Sequence, residues 1–146
     1  MMPAIGALLL LGLVADVNTA IQRYERGEIE EAKRGFRRLV AAYNQGDDLK
    51  SEELVAVAQA CRYLGQDDPQ LFKDALKAFD EAIAADPDNI DARVRLAELF
   101  LEKYNSADAS SALEEAERRA PDHPRVLLAR ARVSDFDGAS STMASA

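Results

Sequence analysis

The side chains able to do chemistry are few in this chain, and none has a partner within sequence reach. There is one thiol, Cys61, and one imidazole, His123. A lone cysteine forms no internal disulfide, and the two are too far apart in sequence to suggest a zinc motif. Cys61 sits in the apolar stripe Leu54, Val57, Ala58, Cys61, Leu64, which predicts a buried, inert thiol. His123 stands between Asp122 and Pro124 in a helix-start turn, where a capping role suits it better than that of a base or ligand. The acidic pairs Glu30-Glu31, Asp47-Asp48 and Asp67-Asp68 fall in turns or first turns. Helix-dipole compensation accounts for them better than a carboxylate dyad does. A phosphate-cradling glycine loop, a serine elbow and a helix-borne histidine pair are all missing from the sequence. The expectation is a non-enzyme with no cofactor, no metal and no small-molecule substrate.

The elements that would position any surface are helices. The chain has 146 residues, enough for one domain with a real core, and 48% of them are apolar, so composition does not predict disorder. Alanine supplies much of that fraction and there is no tryptophan, a mix that favours helices over strands. A net charge of −8 repels phosphate, which argues against nucleic acid as a partner.

Residues 1–15, within "MMPAIGALLLLGLVADV", form an apolar N-terminal segment. As a helix its apolar run from Pro3 to Ala15 spans about 20 Å, short of the roughly 30 Å of a bilayer core. Two readings stand open. The run has the length of an export-signal core with a small-residue cleavage site near Ala15, yet no Lys or Arg precedes it. Alternatively it is a first helix packed on the end of the fold. The first reading places the protein in an exported or periplasmic compartment, the second in the cytoplasm.

Beyond this segment the chain repeats itself. "AADPDNIDAR" and "RRAPDHPRVL" place Pro87 and Pro121 at matching points, each after one helical run and before another. The repeated pieces are residues 16–43, 51–87 and 88–121, with a linker at 44–50 and a partial fourth copy and tail at 122–146. In the third copy Ala92, Leu96, Leu99 and Phe100 form one stripe, and Ala109, Leu113, Ala116 and Ala120 a second. Asn105 and Ser106 mark the turn between them, Pro121 ends the second helix, and Asp122 is the expected cap of the next. In the second copy Asp68-Pro69 is an N-cap followed by proline at the first helical position. Gly138 stands in the fourth copy where Tyr104 stands in the third and marks an expected turn, after which the copy runs out in "ASSTMASA".

This pattern resembles the tetratricopeptide repeat, a helix–turn–helix unit, over residues 16–140. Its large, small and aromatic first-helix residues match Leu96, Ala97 and Phe100, and its second-helix set matches Ala109, Leu113, Ala116 and Pro121. Ala75, Phe79, Ala82 and Pro87 match in the second copy. In the first, Gly27, Ala32 and Phe36 match, but Leu39 stands where a small residue is usual. The resemblance implies an all-α fold, a right-handed α-solenoid of about 3.5 stacked antiparallel helix pairs. It also implies a concave groove lined by the first helix of each pair, which takes a peptide or a partner domain. Carried over position by position, that lining is Tyr24, Gln59, Arg62 and Tyr63, then Asp91, Val94, Glu98 and Leu101, then Arg125, Leu128 and Arg132. The lysine–asparagine clamp with which some members hold a C-terminal carboxylate is absent, its places being held by Val94, Arg95 and Glu98.

The expected function is therefore a non-catalytic module that binds a protein or peptide. Two alternatives remain. One is a docking arm at the front of a longer enzyme or secretion component, as in some bacterial proteins with similar repeats. The other is a scaffold that self-assembles into a homo-oligomer through the uncapped C-terminal edge.

Overall fold

The structure, a computed structural model, describes residues 4–46, 48–66 and 68–144, with side chains from Gly12 to Met143. Among these residues there are seven helices and no strand: α1 (Ala4–Glu25), α2 (Ile29–Asn44), α3 (Ser51–Leu64), α4 (Pro69–Ala85), α5 (Ile90–Glu102), α6 (Ser106–Arg119) and α7 (Pro124–Ala144). They form two compact units, Met1–Asp86 and Pro87–Ala146.

Local chemistry sets the breaks between helices. Gly27 adopts φ 87° after α1, a left-handed turn that a side chain would strain. The amide of Lys50 donates to Glu53 Oε2 at 2.8 Å at the start of α3. Asp68 Oδ1 accepts from the Gln70 amide at 2.9 Å, with Pro69 next in the chain opening α4. Asn89 and Asn105 cap α5 and α6 by accepting from the amides of Ala92 and Asp108, each at 3.1 Å. The sequence pointed to Asp122 as the cap of α7. Instead His123 Nδ1 accepts from the Arg125 amide at 3.2 Å, because Pro124 takes the first helical position and leaves His123 in the capping place. Gly138 makes no turn either. α7 runs through it for 21 residues, since one glycine costs a helix only about 1 kcal/mol and does not end it by itself.

In the first unit α1 packs on α2 and α3, and α3 packs on both α2 and α4. Val17 and Ala20 of α1 meet Ala32, Phe36 and Leu39 of α2 and Ala56 and Ala60 of α3 in one core. The approach is closest at Gly35, where an added Cβ would lie 3.1 Å from the Cβ of Ala20. α3 is buried almost all round, from Glu53 to Cys61, because neighbours cover it on several sides. Ser51 Oγ donates to the carbonyl of Ala82 at 2.7 Å, tying the start of α3 to the last turn of α4. In the second unit Val94 and Ala97 of α5, Ala109, Leu113 and Ala116 of α6, and Val126, Ala129 and Val133 of α7 share one core. The alternation is the one read from the sequence. Alanines sit at the contacts where helix axes come within about 8–10 Å, and Phe36, Phe79 and Leu113 fill the hollows, each worth roughly 1.5–3 kcal/mol of burial.

Candidate binding surface

Two surfaces are in question, each presented by the first helices of one unit: α1 and α3 in the first, α5 and α7 in the second. The structure gathers the expected residues into separate groups. In the first unit Tyr24 and Tyr63 meet edge to face with centroids 5.1 Å apart. Tyr63 also stacks on Phe36, at 5.1 Å and 14°. Both tyrosines stay half-buried, with Tyr24 Oη donating to Gln66 Oε1 at 3.2 Å. Beside them Arg62 Nη1 donates to Gln59 Oε1 at 3.3 Å, and Gln59 itself is buried.

In the second unit the acidic and basic residues of the lining form a ladder. Asp91 pairs with Arg125, and Glu98 Oε1 accepts from Arg132 Nη1 at 2.9 Å. In both pairs the α7 arginine stands one repeat length after the α5 carboxylate, at the same place in successive first helices. Arg95 Nε reaches Asp91 Oδ2 at 2.8 Å and completes the first rung. The rungs are half-exposed, so each contributes on the order of 1 kcal/mol or less, but they engage both Asp91 and Glu98. Val94 lies between them in the core and offers no surface. Leu101 packs partly buried on that core, whereas Leu128 is 53% exposed.

Sequence reasoning missed Arg130. It holds the place that Leu96 holds in the preceding repeat, and it turns toward α6. Its guanidinium grips Glu117 through two bonds, Nε to Oε1 at 2.5 Å and Nη2 to Oε2 at 2.9 Å, and donates to Ser110 Oγ at 2.9 Å. This charge-assisted fork stands where an apolar contact would otherwise join α7 to α6. A charged residue at an apolar repeat position was the available signal.

The reactive groups stand apart from this face. Cys61 is 1% exposed, and burial pushes its thiol up to about 12, away from thiolate chemistry. Tyr43 is likewise pushed up to about 12, by burial and by the Glu81 carboxylate that accepts a hydrogen bond from its hydroxyl at 3.0 Å. Asp47 and Asp67 lie outside the described residues. Among the described residues no group of three His, Cys, Asp or Glu side chains is placed to hold a metal ion. No helix among them is long and apolar enough to cross a membrane.

The family described as Tetratricopeptide repeat matches residues 68–133. Three solved structures are similar in fold. Yersinia enterocolitica type III secretion chaperone SycD, in complex with a peptide of the translocator YopD, is 21% identical, with 88% of this chain and 92% of that chain covered at a TM-score of 0.55. PcrH bound to the chaperone binding region of PopD is 19% identical, with 98% of both chains covered at a TM-score of 0.59. PcrH from Pseudomonas aeruginosa is 20% identical, with 91% and 92% covered at a TM-score of 0.56. Comparison with curated proteins finds no match in sequence.

Proposed function

Since residues 68–133 match tetratricopeptide repeats, we propose that this chain is a non-catalytic binding module that holds a peptide segment of a partner protein on the face of its first helices. The observation that carries the reading is the pairing of Asp91 with Arg125 and Glu98 with Arg132. It leaves a first-helix face in the second unit whose carboxylates are already paired, beside the exposed Leu128. Such a face suits a segment that brings apolar anchors and main-chain hydrogen bonds rather than strong net charge. In the first unit, taken by itself, the Tyr24–Tyr63 pair offers rigid aromatic area of the kind that anchors peptides. Similarity in fold to chaperones solved with a translocator peptide and with a chaperone binding region supports the binding of a peptide segment.

An array of overlapping peptides from co-encoded secreted proteins tests this. The wild-type chain is expected to retain a defined set of peptides. Leu128→Asp is expected to lose them by about tenfold or more, because it places a charge in the apolar contact. Equal retention by wild type and variant would overturn the assignment of the face.

A further inference from the structure

A separate surface lies on α2, and neither the fold nor the proposed function accounts for it. The chain is acidic overall, yet Lys33, Arg34, Arg37 and Arg38 put four cations on two successive turns, with no carboxylate from Ala32 to Gly46. In the second unit every arginine, from Arg93 to Arg132, is engaged by a carboxylate or a backbone carbonyl. On α2, among the described residues, these four make no ion pair or side-chain hydrogen bond. They stand at i,i+3 and i,i+4 spacings, where like charges repel on a helix surface. The last turn of α2 carries no basic residue, so its dipole does not account for them. Four like charges kept on one helix face without forming an ion pair are the mark of a group that serves something outside the fold.

The cations also border a shaped site. Lys33 and Arg37 line a cleft of 370 Å³ whose other wall is Val40, Leu64 and Leu71. Those three side chains are half-buried, so the cleft offers apolar surface next to positive charge. Asp68 also borders it, but its carboxylate is engaged as the cap of α4. On the neighbouring side Arg34 and Arg38 lie with Arg23 and Glu31 around a smaller hollow of 260 Å³.

We propose that this cleft docks an acidic, apolar segment of a partner protein, with carboxylates on Lys33 and Arg37 and aliphatic side chains against Val40, Leu64 and Leu71. The basic stretch is short and is preceded on the same helix by Glu30 and Glu31. A broad polyanion such as a nucleic acid or an anionic membrane would meet those carboxylates as well, whereas a short peptide need not.

Fluorescence anisotropy with the full chain tests this. The probes are a labelled peptide of about twelve residues alternating Glu with Leu, and its Lys-for-Glu counterpart. At low salt the glutamate peptide is expected to bind at least about tenfold more tightly than the lysine peptide, with the preference fading at high salt. The double variant Lys33→Glu/Arg37→Glu, its helical circular dichroism unchanged, is expected to reverse that preference. The Leu128→Asp variant is expected to keep it within about twofold, which separates this site from the first-helix face. Equal affinity for the two peptides would overturn the proposal, as would a preference that survives the double charge reversal. So would tighter binding to phosphatidylserine vesicles or to single-stranded DNA than to the glutamate peptide. A dimer that the double variant dissolves would also overturn it, by making a second copy the occupant.

Discussion

Cys61 and Arg130 are two side chains whose surroundings change their chemistry. Cys61 is buried among the α3 side chains, and desolvation with the nearby Asp74 charge pushes its thiol up to about 12. A thiol-reactive dye at mildly alkaline pH is therefore expected to label the native chain far more slowly than the chain in denaturant. Rapid native labelling would contradict the burial. The linkage has a definite sign: because the native value is raised, the thiol's contribution to stability is present below the unfolded value and is lost as pH rises toward about 12. The Arg130–Glu117 fork has the opposite sign. Its hydrogen bonds hold the Glu117 carboxyl below the usual glutamate range, so its contribution is present above that range and is lost as the pH falls through it. Glu117→Gln is accordingly expected to lower stability at neutral pH and to flatten the acid limb of the stability curve. An acid limb unchanged in the variant would contradict the fork. Cys61 is legible in the sequence because a stripe position implies burial. Arg130 is not, because an arginine at an apolar repeat position reads as surface until the carboxylate opposite it is known.

For the helices, the small residues decide. Ala109 is fully buried where α6 meets the Val94–Ala97 stretch of α5. Ala109→Leu is expected to overpack that contact and cost about 1–3 kcal/mol, a fall of several degrees in melting temperature. An unmoved melting temperature would show that the alanine does not set the spacing. Gly65 makes a similar case at the α3–α4 turn, where a Cβ would lie 2.7 Å from the carbonyl of Cys61 and 2.9 Å from the Cβ of Leu71. Helix limits, caps and stripes are readable because 3.6-residue periodicity and capping chemistry are local. Gly138 is the exception: the sequence offers a turn residue there, and α7 tolerates it within the helix. The choice of His123 over Asp122 as cap depends on one residue of register, finer than periodicity resolves.

Taken whole, the molecule has a sequence that specifies its packing more fully than its surface. The residues proposed for the groove follow from repeat position, and repeat position cannot tell the exposed Leu128 from the buried Val94 at the same place in the preceding repeat. The charge ladder is present in the sequence as opposite signs at equal repeat places, but only the packing of α5 against α7 brings the signs together. Replacing both arginines, Arg125→Gln with Arg132→Gln, is expected to strip Glu98 of its arginine, to leave Asp91 with Arg95 alone, and to weaken peptide binding about tenfold. The most direct test is the amide chemical-shift footprint of the tightest array-selected peptide that lacks Asp and Glu, titrated into the isotope-labelled chain. A first-helix binding face in the second unit predicts shifts concentrated on α5 and α7, near Glu98 and Leu128. Shifts confined to α2, α4 and α6 would contradict it.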